Sequence, residues 1–452
     1  MTKGKESFLQ GIIYLMTSQI IIKVLGMIYS LYLTNKKGFG DEGNAICMSG
    51  FQVYALLLGI CAIGVPNAVS KMVSETLELG NSKDCAKILK ISLIVFTTIG
   101  FVFCLILYYG ANFIANKILY IGSASGILKI LAPSIVFSTV EAVFRGYFNG
   151  INKISISAKI STLEQILKTI ITIVIVEFIG KNTNYNTELM AKGSMLAASI
   201  ATIFSFLYSF ILYKKLSKYN CSCNSRTKSF RKILKELFSI LMPISITTAL
   251  IIFENNIDSI TIVRILKDKI GEVEARKVYG IITSKVNLIV GLPLALNGAI
   301  SISLIPEISR NIIKNDNRQL EENINFSGLI TLIISVPIML VVMIYSKEII
   351  KFLYPNAQKG AELLKIASVT IIFSCITQNI SGILQGIGDS KTHLFAVCCG
   401  MPIKLLLNFI LISNEKILEY GAIISTIILD IVIFEIMYRK LKKSFNLKFP
   451  TA

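Results

Sequence analysis

Residues 144–153 read FRGYFNGINK, and residues 381–391 read SGILQGIGDSK. Each string closes an apolar tract with two glycines four residues apart, Gly146 and Gly150 in the first, Gly382 and Gly386 in the second. A shift of 236 residues superposes them and lays the first half of the chain on the second without a gap. ILKILAPSIVFS (127–138) then meets LLKIASVTIIFS (363–374), Lys129 meets Lys365, and Lys168 meets Lys404. Across 124–168, ten of 45 positions are identical. Apolar alphabets match easily by chance, but coincident lysines inside apolar tracts do not. The chain reads as one unit written twice in the same orientation.

Working outward, each unit is a set of apolar blocks. A helix needs about 20 apolar residues to cross roughly 30 Å of hydrocarbon. Twelve such blocks stand near 9–33, 45–70, 88–114, 124–145, 154–179, 189–213, 236–262, 278–302, 326–345, 361–385, 392–413 and 418–437. The expected fold is an all-α integral membrane protein of twelve transmembrane helices in two parallel six-helix repeats. Lipid offers no partner for backbone polar groups, so the helices must bundle. The expected organisation is an N-terminal lobe over 1–213, a basic cytoplasmic linker over 214–235, and a C-terminal lobe over 236–452 with a short basic tail. Parallel repeats place substrate between the halves and suggest alternating access by rocking one lobe against the other.

The net charge of +19 does not point to nucleic acid. The cations gather in alternate connections, as cytoplasmic loops do, with roughly twice as many Lys/Arg inside as outside when both termini are cytoplasmic. Segment 263–277, with five cations on the outer side, is the exception. The N-terminus reads as a first span and not a cleaved leader. Cys221 and Cys223 form a lone C-x-C, a weak metal motif. The single histidine, His393, leaves histidine-based metal or triad chemistry without material. There is no Walker A lysine motif, so no enzyme is expected and no cofactor. A gradient, the membrane potential or a separate protein must supply energy.

Charges inside spans are costly and default to functional hypotheses. Lys129, Lys192 and Lys365 sit near outer ends and can snorkel. Lys23, Lys168 and Lys404 are deep, and Lys285 is a further cation of the same kind. Several amines in low dielectric attract a phosphate. Lys23 and Lys404 are the leading substrate-binding candidates, with Lys168 and Lys285 behind them. Lys168 could instead pair with Glu164 one helical turn earlier. Asp258, in NNIDSI with Asn255, Asn256 and Ser259 nearby, and Asn408 of the eleventh span are candidates for binding Na+ or H+ as coupling ion. Asp258 could equally partner Lys23 or Lys285. The paired glycines permit a tight turn with positive φ into the next helix. Arg145 then lies at the cytoplasmic rim, either as part of a positive-inside turn or as a substrate gate.

GVPNAVSKMVSE (64–75), GFGDEGNA (38–45), FRGYFNGINK, NNIDSI, ARKVYG (275–280), GLPLALNGAISISLIPEIS (291–309) and LQGIGDSK occur in this order over nearly the whole chain. Together they resemble the stage V sporulation protein B group, polysaccharide-type flippases of the MOP superfamily akin to the lipid II flippases. The resemblance implies a twelve-helix, two-lobed transporter for an undecaprenyl-diphosphate-linked cell-wall or polysaccharide precursor, with a role near peptidoglycan or spore cortex synthesis. Its partners would be that lipid-linked oligosaccharide and the bilayer, with the protein a monomer. Lys23 falls where the group commonly has a basic residue on the first helix, and Asp258 matches its helix-7 aspartate. Many members carry two further helices that help form a groove for the lipid tail; this sequence stops soon after Arg439. The rival is a cation-coupled multidrug antiporter of the same superfamily. It needs acids to attract cationic drugs, and the acid-free first span opposes it.

Overall fold

A computed structural model describes residues 8–78, 82–151, 153–217, 229–313, 317–389 and 391–445. Among them there is no strand. In chain order the helices are α1 (Phe8–Asn35), α2 (Gly40–Leu58), α3 (Val65–Glu78), α4 (Ser82–Phe113), α5 (Ala124–Gly150), α6 (Ile154–Asn182), α7 (Thr187–Ser217), α8 (Phe230–Ile270), α9 (Glu272–Ile281), α10 (Asn287–Ile313), α11 (Asn317–Ile344), α12 (Ser346–Leu353), α13 (Ala361–Ala367), α14 (Thr370–Ile387), α15 (Lys391–Ile412) and α16 (Tyr420–Phe445). Short π-helical turns join α2 to α3 at Gly59–Ile63 and α9 to α10 at Ile282–Val286.

Ten helices among the described residues are long and apolar enough to cross a membrane. The fifth and seventh expected spans fall on α6 and α8, of 29 and 41 residues. α6 carries Lys159, Glu164, Lys168, Glu177 and Lys181, a polarity that sets it apart from its neighbours. The burial pattern is that of a protein whose solvent is lipid. Phe113, Val174, Phe178, Ile333 and Ile410 are exposed, while Ser92, Ser134, Thr139, Thr172 and Ser209 are buried. Small hydroxyl residues let helices approach closely and bond across where no hydrophobic force drives them together.

Contacts divide the chain into two compact units. The first is Met1–Leu33, Lys37–Phe39 and Ile46–Phe253; the second is Thr34–Lys36, Gly40–Ala45 and Glu254–Ala452. The division falls inside α8 and not in the 214–235 connection, because the first half of α8 lies against the first unit, with Ile252 beside Gly59. Residues 218–228, including Cys221 and Cys223, lie outside the described residues, as do the side chains of Glu254 and Asn255. Within the first unit α5 packs on α3, α4 and α7, and α6 on α7. Within the second, α14 packs on α10, α11 and α16, and α15 on α16. The neighbour pattern of one unit is thus repeated in the other.

The paired glycines do something other than turn the chain. Gly146 and Gly150 are helical residues of α5, and the helix ends after them. A Cβ on Gly146 would stand 2.8 Å from Val69 Cβ and 2.9 Å from Pro66 O; on Gly150, 2.7 Å from Val73 Cβ. A Cβ on Gly382 would stand 2.7 Å from Ser301 O of α10. Gly386 is likewise inside a helix, α14, and buried. Gly146, Gly150 and Gly382 take glycine for helix contact. The positive φ belongs to Gly388, at 92°, beyond the α14 end.

Candidate functional site

Two turns of α6 place Ser161, Glu164, Gln165 and Lys168 on one face, since residues three, four and seven apart share a side of a helix. That face lines a cavity of about 450 Å³ in the first unit. α1 adds Gln19 and Ile22, α2 adds Phe51 and Tyr54, α5 adds Ser134, Ser138 and Arg145, and α7 adds Thr202.

Lys168 is the centre of the cavity's chemistry. Its Nζ stands 5.1 Å from the ring centroids of both Tyr29 and Phe51. Two aromatic faces thus cradle the ammonium, an attraction worth about 0.5–2 kcal/mol each depending on desolvation. It makes no ion pair or hydrogen bond to oxygen among the described residues. The alternative pair with Glu164 is not formed; Glu164 accepts instead from Thr202 Oγ1 at 2.9 Å. An ammonium has three donors and no acceptor. Those donors are strong cationic binding capacity that the described residues of the cavity leave uncommitted.

Arg145 enters the cavity from α5. Its Nε lies 3.3 Å from Oε1 of the buried Glu141, one turn before it, and it donates to Ser161 Oγ at 3.1 Å. It is therefore partly neutralised and held in place from both sides. Tyr54 closes the wall with hydroxyl contacts to Ser134 at 3.1 Å and Ser138 at 3.2 Å.

The other candidates are placed differently. Lys23 is exposed on α1. Lys285 is fully buried in the second unit, in the π-turn after α9. Its Nζ is 2.7 Å from Asp41 Oδ1 and donates to Ala357 O at 2.5 Å and Lys359 O at 3.2 Å. Tyr354 lies beneath it, 5.4 Å to the ring centroid. This lysine ties the start of α2 to the 354–360 loop. Lys404 is also buried, 3% exposed, and its Nζ is 2.9 Å from Asp258 Oδ2. The structure thereby joins two residues that the sequence kept apart, a supposed substrate lysine and a supposed ion-binding acid. Asn408 does reach the aspartate, donating to Asp258 Oδ1 at 3.1 Å.

Tyr29, Phe51 and Asp41 were not picked out from the sequence. Nothing local marks an aromatic residue as a cation's cushion. Asp41 lies in the quoted GFGDEGNA string, but 244 residues separate it from Lys285.

The polysaccharide biosynthesis protein family matches residues 8–312, and the MatE family matches residues 243–410. The chain is 26% identical over 439 residues to the lipid II flippase MurJ of Bacillus subtilis (strain 168), covering 93% of this chain and 80% of that protein. It is 22% identical over 432 residues to the stage V sporulation protein B of the same organism, covering 94% and 81%. Among solved structures, a lipid II flippase MurJ in an inward closed conformation superposes with a TM-score of 0.72 at 18% identity, over 95% of this chain and 88% of that one. That likeness shows a common fold.

Proposed function

The chain belongs to the polysaccharide biosynthesis protein family, and we propose that this multi-pass membrane protein flips an undecaprenyl-diphosphate-linked cell-wall or polysaccharide precursor across the cytoplasmic membrane by alternating access. The observation that carries the reading is Lys168, a deep ammonium held by two rings and by no carboxylate. The names of the relatives support it.

The substrate poses two physical problems. Its diphosphate headgroup cannot cross hydrocarbon unaided, while its polyprenyl tail can remain in lipid. A polar cavity open to an ammonium addresses the first. Charge-assisted hydrogen bonds to phosphate are about twice as strong as neutral ones. The rings of Tyr29 and Phe51 temper the binding, because Lys168 gives up cation–π contact to reach the anion. A site that must release its cargo benefits from that trade. Lys23, exposed on α1 and not part of this cavity's lining, is not assigned a contact in this scheme. Nor are Lys285 and Lys404, since each is committed to an acid. An ion gradient or the membrane potential drives the cycle.

The test is flipping of a lipid-linked precursor in proteoliposomes. Loss of a hydrogen bond to a charged group costs about 1.5–3 kcal/mol, so Lys168→Ala should slow flipping by roughly 10- to 150-fold. Lys168→Arg should retain part of the rate, because charge is kept while the compact ammonium geometry is not. Wild-type flipping by Lys168→Ala would overturn the proposal. The match to the MatE family favours a second reading, a cation-coupled multidrug antiporter. Saturable export of a cationic dye, with no precursor flipping, would select it.

A further inference from the structure

We propose that Lys404 is a tethered cation occupying the seat of a soluble coupling ion in the second unit, so that Asp258 binds no sodium or potassium ion. Three helices build the seat. α8 supplies Asp258 and, one turn on, Thr261; α15 supplies Lys404 and, one turn on, Asn408; α16 supplies Ser425. All five are buried. A carboxylate, two hydroxyls and an amide oxygen are what a hard cation would want.

The hydrogen bonds point the other way. Asp258 Oδ2 accepts from Lys404 Nζ at 2.9 Å, and Oδ1 accepts from Asn408 Nδ2 at 3.1 Å. The same Nδ2 donates to Thr261 Oγ1 at 2.8 Å, and the amide oxygen of Asn408 accepts from Ser425 Oγ. Asn408 therefore turns its nitrogen, not its oxygen, toward the carboxylate. Both carboxylate oxygens are capped by donors, and the Asp258–Lys404 pair is neutral. A metal ion entering beside it would add a positive charge next to a carboxylate that Lys404 already neutralises, in a buried site, which is unfavourable.

The internal repeat shows what created this lock. Under the 236-residue shift, Lys404 corresponds to Lys168 and Asp258 corresponds to Ile22. Ile22 lines the first-unit cavity beside Lys168. The same lysine is thus available in the first unit and clamped in the second, and the first unit has an aliphatic residue, Ile22, at the position of the clamping acid. The clamped copy is a structural counter-charge, and the available copy is free to meet a ligand.

The experiment uses the purified full chain in detergent, without substrate, so its outcome is independent of the proposed flippase activity. Radioactive sodium binding is measured, and the melting temperature is followed as sodium replaces choline at constant ionic strength. The wild type should bind no sodium saturably and melt at the same temperature throughout. Lys404→Asn removes the tethered charge and should gain sodium-dependent stabilisation of several degrees, as expected when a ligand binds only the folded state. Asp258→Asn added to it should abolish that gain. Saturable sodium binding by the wild type overturns the proposal, as does a folded Lys404→Asn that responds to none of lithium, sodium and potassium. Should Lys404→Asn fail to fold, the wild-type measurement decides alone.

Discussion

Replacing Lys285 with methionine tests whether the most buried cation among the described residues is a tie between segments or a substrate contact. The side chain is 0% exposed and its partner Asp41 is 11% exposed. Lys285→Met keeps the length and apolar stem and deletes the charge. Asp41 is then left buried without its counter-ion. The carbonyls of Ala357 and Lys359 lose a donor too, but Ala357 is half-buried and Lys359 exposed, so water recovers much of that loss. Breaking a buried pair by removing one partner costs about 3–5 kcal/mol. With about 2–4 °C per kcal/mol for a unit of roughly 200 residues, the melting temperature should fall by roughly 6–20 °C. Asp41→Asn should cost less, because an acceptor remains at position 41 and Lys285 Nζ keeps its bonds to the carbonyls of Ala357 and Lys359. In the double variant the charge is balanced again, so the combined loss should fall short of the sum by about 1 kcal/mol or more. Unfolding can be followed with a thiol-reactive dye, since Cys47 and Cys375 are buried until the helices separate. A Lys285→Met protein that melts within about 1 °C of wild type yet has lost transport would refute the reasoning and return Lys285 to the substrate path.

Gly146→Ala should destabilise by about 1–3 kcal/mol, because its methyl meets Pro66 backbone and Val69 Cβ, which cannot swing aside. Gly388→Ala has open space around it but a φ of +92°, so only the left-handed strain of about 1–2 kcal/mol should appear in the same melting assay. Asp389 lies outside the spans and accepts from Thr392 Oγ1 at 2.7 Å and Thr392 N at 3.1 Å, with Lys440 Nζ at 3.5 Å. These contacts, the Thr392 hydroxyl first, hold its carboxyl below the usual carboxylate range. A depressed folded-state value means that its contribution is present above about pH 4 and is lost as pH falls through the folded value. Asp389→Asn should therefore lower stability at neutral pH and flatten the acid limb of a melting-temperature profile. Impermeant thiol reagent applied to intact cells should leave Cys221 and Cys223 unlabelled until the membrane is opened; labelling from outside would reverse the topology.

Twelve apolar blocks, the bias of cations to alternate loops and a 236-residue internal repeat were all legible in the chain itself. Lipid imposes length and apolarity on each helix, and those requirements act along the sequence, one segment at a time. The glycine pairs at 146/150 and 382/386 were visible too, but as signs of a turn. The use of Gly146, Gly150 and Gly382 as contact surfaces on α3 and α10 depends on neighbours more than 70 residues away. The deep lysines show the same boundary most plainly. Lys168, Lys285 and Lys404 look alike in sequence, each one cation in an apolar run. Tertiary structure gave them three different surroundings: two aromatic faces, Asp41 with two carbonyls, and Asp258 with Asn408 beside it. A buried charge must be compensated by the groups packed against it. Hydropathy and spacing report that a charge is buried, but only packing between distant helices decides what compensates it, and so which lysine remains free to bind.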